Sequence, residues 1–586
     1  MNSFHIVLRP FSWILFLVGF GGFASANGPN VLLILTDDQG WGDLGVHGNE
    51  ILATPTLDSL AHQSVRLDRF YVSPVCAPTR AALLTGRYPE RTGVVGVTSR
   101  WEVMRSEEVT LAEMFSDAGY ATGCFGKWHN GAQMPLHPNG QGFDEFFGFC
   151  GGHFNLYDDP LLEHNGRPVQ TNGYITNVLT DRAIAFLQEH RKEPWFCYVP
   201  YNTPHTPCQV NQKLFDKYND GSITEMTAAV YAMVENIDTN VARLLTAVED
   251  QGRSNDTIVI FLTDNGPNGP RFNGGMRGRK GSVHEGGCRV PCMIRWPERI
   301  QARVIDQVTA HIDLLPTLAD WCGLERKGDL PLDGKSLARL IENGSDSSLA
   351  ERCLLTNRPN SKDPAALHRA AARTNRFRLT IERGKTSLFD MEIDPGQNTN
   401  IAAARPTVTK RLEAKVLDYL AQTQDSIRRA REIPVGGRVE TYIPGVDSKL
   451  HGNPGFADGI SWSHSWVDNW VAPDDRVSWP LEVIRPGKYE LRLHYTCSSA
   501  EASVAASVGN REVAAKLPLA AVESVVRPDL DPRAKPRRML RFETHPLGVM
   551  TLSAGKKRLE LRRDDSTGAA IELSGVTFRH LPDAAD

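Results

Sequence analysis

Two short runs of oxygen-bearing side chains, each at the end of an apolar segment, are the first residues whose types point to chemistry. Asn30-Val31-Leu32-Leu33-Ile34-Leu35 runs into Thr36-Asp37-Asp38-Gln39-Gly40, and Thr257-Ile258-Val259-Ile260-Phe261-Leu262 runs into Thr263-Asp264-Asn265-Gly266. Largely continuous apolar runs predict strands buried on both faces of a parallel sheet, and ligands of open α/β sheets collect at the carboxyl ends of such strands. Either pair alone would serve as a turn or loop cap. Two matching strand ends favour a shared all-oxygen site, suited to calcium or magnesium and poor for zinc.

A second candidate is Cys76, which stands ahead of Pro78 and an alanine-rich apolar run. The pattern predicts a helix with proline in its first turn. Unpaired N–H groups and the helix dipole favour an anion there, and Arg80, one turn on, adds a fixed positive charge. A sulfate or phosphate ester fits such a place. Lys127 and His129 lie two apart after a strand predicted over 120–126, so in an extended segment both project to one side. His205 follows a predicted strand, Trp195–Val199, and has prolines on either side that stiffen its loop. Lys280 lies in a glycine-rich basic loop, 274–291, that lacks P-loop spacing.

Cys76-Ala77-Pro78-Thr79-Arg80, followed by Leu83-Leu84-Thr85-Gly86-Arg87, resembles the signature of the type I sulfatases, arylsulfatase-like members of the alkaline phosphatase superfamily. Gly126-Lys127-Trp128-His129, Pro204-His205-Thr206-Pro207 and the run from Lys280 through Glu285-Gly286-Gly287 to Pro291 match it in the same order, and the resemblance covers about residues 28 to 425. It implies that a maturation enzyme converts Cys76 to formylglycine, whose hydrated aldehyde attacks sulfur with one hydroxyl and expels sulfate with the other. It also implies calcium, with Asp37, Asp38, Cys76, Asp264 and Asn265 as ligands. Arg80, Lys127 and Lys280 would neutralise the sulfate, His129 would orient and deprotonate the gem-diol, and His205 would face the leaving oxygen. His284 departs from the bulky aromatic often found there, which makes it a candidate substrate contact.

The elements that must position these residues belong to an α/β fold: a large mixed, mostly parallel sheet flanked by helices, a small antiparallel subdomain, and a C-terminal β-sandwich. The expected division is a signal peptide at 1–26, a catalytic domain at 27–345, a smaller subdomain at 346–425, a linker at 426–435 and the sandwich at 436–586. A helix is predicted from Pro55, capped by Thr54, to about Arg66, another over 110–119, and a long one over 224–250 with apolar positions Ala229, Met233, Ile237, Val241, Leu244 and Val248. In the C-terminal part, alternating Tyr489, Leu491, Leu493 and Tyr495 predict strands, and Trp462, Trp466, Trp470 and Trp479 are either core or aromatic platforms of a carbohydrate-binding-like module.

With 586 residues, 41% of them hydrophobic, the chain can bury a large core, and a net charge of −4 gives no support to nucleic-acid or polybasic membrane binding. Arg9, the apolar run 11–18 and Ala24-Ser25-Ala26 predict an export signal, hence a periplasmic or extracellular protein without a stable membrane anchor. Ten cysteines form no dense framework, and Cys288 with Cys292 lacks the second pair of a zinc site. The expected activity is hydrolysis of sulfate esters on a sulfated carbohydrate. A phosphonate or phosphate ester hydrolase is the alternative within the same chemistry. An inactive glycan-binding protein is the alternative outside it, disfavoured because every expected catalytic position is filled.

Overall fold

The computed structural model describes residues 28–359, 363–524 and 539–582, so the predicted export signal lies outside the described residues. Strand Asn30–Thr36 runs down the middle of a ten-stranded sheet, parallel to Trp195–Pro200 on one side and Thr257–Thr263 on the other. Ala121–Lys127 and Glu145–Phe149 extend the parallel region, while Cys292–Arg295 and Leu161–His164 add antiparallel flanks. The central strands read as unbroken apolar runs because both faces are covered. Val31, Leu33 and Leu35 enter one core, and Leu32 and Ile34 enter the other.

The helix Glu225–Asp250 covers the second face. Thr224 caps it by accepting the N–H of Thr227, and all six of its expected apolar positions are buried. The first face carries Cys76–Thr85, buried along its whole length, and Leu111–Asp117, which opens with a reciprocal capping box between Thr110 and Glu113.

The helix from Pro55 ends at His62, short of Arg66, and Thr54 does not cap it with its side chain. Thr54 Oγ1 accepts from Gly45 N and donates to Asp58, while the N–H groups of Thr56 and Leu57 are taken by Asp238 from the long helix. Arg66 falls instead in strand Val65–Leu67, which pairs with Arg303–Ile305. Tertiary pairing overrides local helix preference there.

A four-stranded antiparallel sheet from Leu354 to Asp390 packs on the helix Pro406–Arg428 through Leu412, Val416 and Tyr419. That helix continues through 428, and Ile433–Val435 is already a strand of the C-terminal unit, so 429–432 make the connection. The unit itself is a sandwich of two six-stranded sheets around one core, in which Trp470 and Trp479 are fully buried. Trp466 packs edge-on against Phe542, and Trp462 packs against His153 of the α/β unit. All four tryptophans are buried, at 5% exposure or less, so none offers an open aromatic platform.

Candidate active site

Val75 is extended, and Cys76 begins its helix immediately after it. One turn on, Arg80 is fully buried and donates from Nε and Nη2 to Asp264 Oδ2 at 3.2 and 2.9 Å, and from Nη1 to the Lys127 carbonyl at 2.7 Å. Thr79 Oγ1 donates to the Asp264 carbonyl at 2.7 Å. The Cys76 helix is thus bolted to two strand ends at once.

Those ends bring the predicted residues together. Lys127 Nζ lies 2.5 Å from Asp37 Oδ2, Lys280 Nζ lies 2.6 Å from Asp38 Oδ1, and His205 Nε2 lies 3.6 Å from Asp38 Oδ2. Asn265 Nδ2 donates to Asp38 Oδ1, and Asp38 N donates to Asp264 Oδ1. His129 differs from the extended expectation. Its strand ends at Lys127, and His129 takes φ 66°, so a left-handed turn, rather than strand alternation, sets its direction.

Charge in the cluster is unevenly held. Burial alone would raise the Asp37 carboxyl, but Lys127, His205 and Arg80 outweigh it and hold it well below the usual range. Burial and the neighbouring Asp37 charge push Asp264 up to about 7. Burial raises the Cys76 thiol. Burial and Lys127 hold His129 well below its ordinary value, and burial with Lys280 brings His205 down to about 4, so both are neutral at pH 7. Lys280 is held protonated by Asp38 against its burial.

The donor set suits a hard cation. Asp37 Oδ1, Asp38 Oδ2 and Asn265 Oδ1 are buried without a hydrogen-bond partner among the described residues. Donor atoms of Asp37, Cys76 and Asp264 lie within 4.8 Å of one another, as do those of Asp37, Asp38 and His205. Buried unpartnered acceptors are costly, and a divalent ion would satisfy them.

Three supports escaped the sequence. Arg271 donates to the Asp38 carbonyl and to both Asp43 oxygens, holding the first acidic turn. Glu285, paired with Arg373 and Arg378, fixes the loop that carries Lys280. His153, whose ring centroid lies 5.2 Å from that of His205, follows the end of strand Glu145–Phe149, where the strand-end argument applied to Asp37 and Asp264 would have found it. His284 proves to be a brace: its Nδ1 accepts from Gln397 and its Nε2 donates to Glu382, both in the smaller subdomain.

A sulfatase family model matches residues 29–324. The chain belongs to the sulfatase family. A second model, the C-terminal region of N-sulphoglucosamine sulphohydrolase, matches residues 279–425 of this sulfatase. Canine (Canis lupus familiaris) N-acetylgalactosamine-6-sulfatase is 33% identical over 59% of the chain and 71% of its own length, and human arylsulfatase A is 31% identical over 67% and 88%. Among solved structures, Ps i-CgsB matches with a TM-score of 0.64 at 26% identity, over 68% of this chain and 94% of that one. These relatives make the sulfatase a sulfuric ester hydrolase.

Proposed function

We propose that this sulfatase removes sulfate from a sulfated carbohydrate, using formylglycine made from Cys76 by a maturation enzyme, and calcium held by Asp37, Asp38, Asp264, Asn265 and residue 76. The observation that carries the reading is the convergence of Arg80, Lys127 and Lys280 on the carboxylates of Asp264, Asp37 and Asp38 beside the N-terminus of the Cys76 helix, with Asp37 Oδ1 and Asp38 Oδ2 left without a hydrogen-bond partner among the described residues. The carbohydrate assignment draws on relatives: one is named for N-acetylgalactosamine 6-sulfate, and Ps i-CgsB was solved with k-i-k-neocarrahexaose. The export pattern in residues 9–26 supports a periplasmic or extracellular location for the enzyme.

When bound, calcium supplies neutralisation of the sulfate oxygens, and formylglycine supplies a gem-diol with one attacking and one sulfate-expelling hydroxyl. The chain's own groups complete this chemistry. His129 donates from Nε2 to the Val97 carbonyl, which leaves a buried lone pair on Nδ1 to take a proton. His205 donates from Nδ1 to the Thr206 carbonyl, so its Nε2 faces the acidic cluster. A sulfate ester beside it adds negative charge, which raises its proton affinity and lets it serve, with Lys280, the leaving oxygen.

The test uses protein co-produced with a formylglycine-generating enzyme, with a Cys76→Ala control, on an aryl sulfate, an aryl phosphonate, carrageenan and chondroitin 6-sulfate oligosaccharides. Sulfate release only by converted protein, lost on chelation and regained with calcium, is expected. Phosphonate turnover exceeding sulfate turnover would move the assignment to the alternative ester class. Confirmed conversion with no sulfate released from any substrate would overturn it.

A further inference from the structure

The turn after strand Glu145–Phe149 is gripped by the C-terminal sandwich. Trp462, Ser463 and His464, in the loop between the sandwich strands Gly455–Phe456 and Val467–Trp470, reach into it. His153 N donates to Ser463 Oγ at 2.9 Å, its carbonyl accepts from His464 Nε2 at 2.6 Å, and its Nδ1 accepts from Ser463 N at 3.2 Å. Beside them Trp462 Nε1 donates to Asn155 at 2.8 Å. The backbone and one ring nitrogen of a single residue are thus taken by a loop 310 positions on. The two family models end by residue 425, so this grip comes from a part of the chain that neither covers.

The grip fixes a proton. A backbone N–H can only donate, so His153 Nδ1 is an acceptor and the ring hydrogen sits on Nε2. That Nε2 has no partner among the described residues, and unlike Nδ1 of His129 it is not sealed within the protein. The ring stands between Trp462, 4.2 Å away on the sandwich side, and His205 and His129, 5.2 and 6.3 Å away on the catalytic side. Burial first, then His205, Lys127, His129 and Lys280, hold it well below its ordinary value, so it is neutral at pH 7. The groups that crowd it are those assigned to the sulfate ester. A neutral N–H suits that place, because it offers an anion one more donor without adding a cation to repel Lys127 and Lys280.

We infer that the sandwich loop 462–464 fixes His153 as its Nε2–H tautomer and that this N–H donates to an oxygen of the bound sulfate group, which makes the C-terminal unit part of the catalytic centre. The inference rests on the proposed sulfatase reading of the cluster. It is tested with converted enzyme on whichever substrate of the panel above the parent turns over best, using His153→Ala, His153→Gln and His153→Asn. The glutamine amide nitrogen reaches the position of Nε2 but leaves Ser463 N unpaired. The asparagine oxygen keeps an acceptor where Nδ1 stood but cannot reach the anion.

The expected result is a kcat/KM about 10²-fold lower for His153→Ala and His153→Asn, with His153→Gln within about ten-fold of the parent. Asparagine performing as well as glutamine or better would make His153 a structural support and overturn the inference, as would all three variants lying within about three-fold of the parent. The role of the sandwich is read from a cycle. Ser463→Ala with His464→Phe, which cuts the side-chain bonds to the His153 N–H and carbonyl, should lower kcat/KM about ten-fold in the parent and have no further effect in His153→Ala. Equal losses in the two backgrounds would overturn that role. These outcomes leave the sulfatase reading intact, whereas a converted parent that releases no sulfate strikes that reading and the inference with it.

Discussion

His129 shows how much one side chain's surroundings decide. A carbonyl can only accept, so the 2.8 Å contact with Val97 assigns the proton to Nε2. Burial and Lys127 keep the ring neutral, and Nδ1 has no partner. These are the conditions of a buried general base. His129→Ala is expected to lower kcat on an aryl sulfate by about 10²–10⁴-fold, with KM little changed because Lys127 and Lys280 still hold the anion. Steady-state kinetics on converted protein checks this, and a fall below ten-fold would remove the role. The residue types at this site were legible because each combined a chemical character with a place at a strand or helix end: Asp37, Asp38, Asp264 and Asn265 after apolar runs, and Cys76 and Arg80 on one helical turn. The left-handed turn at His129 was not legible, since Asn130 and Gly131 follow it but the residue that takes the positive φ is neither of them. For His153 the place near a strand end was open to the same argument, but its pairing was not, since its partner Ser463 lies 310 positions away.

At the scale of elements, strands buried on both faces were plain in the sequence, and the helix from Pro55 was overextended because its end is set by sheet pairing. The short helix Pro89–Thr92 shows another effect that only packing reveals. Tyr419, on the helix of the smaller subdomain, donates to Glu90 Oε2, and burial pushes the Glu90 carboxyl up to about 7. A carboxyl with a folded pKa above its ordinary 4.5 takes up a proton on folding between those values. Its contribution to stability is therefore fully present below about pH 4.5 and falls by about 3 kcal/mol as pH rises to about 7, flattening above. Glu90→Gln keeps an acceptor for Tyr419 and removes the titration. Thermal unfolding should show the variant gaining stability over the parent at pH 8 and not at pH 5; an equal difference at the two pH values would refute the assignment.

For the molecule as a whole, the sandwich was readable from alternation, and Tyr489, Leu491, Leu493 and Tyr495 are indeed its core. Periodicity tells which face of a strand is buried, but it carries no record of a loop reaching into another domain. Trp462 is that reach. It is 5% exposed, it bonds Asn155 and its ring packs tilted at 4.2 Å on that of His153, so the sandwich and the α/β unit meet in an aromatic contact beside His205. Trp462→Ala should cost about 3–5 kcal/mol of the interface, as for other buried tryptophans. Because Trp462 lies outside the sandwich core, that loss should loosen the docking of the sandwich and leave its interior intact. Calorimetry is then expected to resolve a separate, earlier transition where the parent melts once. The same variant should lose sulfate release, since the ring of Trp462 would no longer hold His153 next to His205, and Trp462→Phe should restore most of the ring contact but not the bond to Asn155. A single unchanged transition with full activity would mean that the two domains touch without working together.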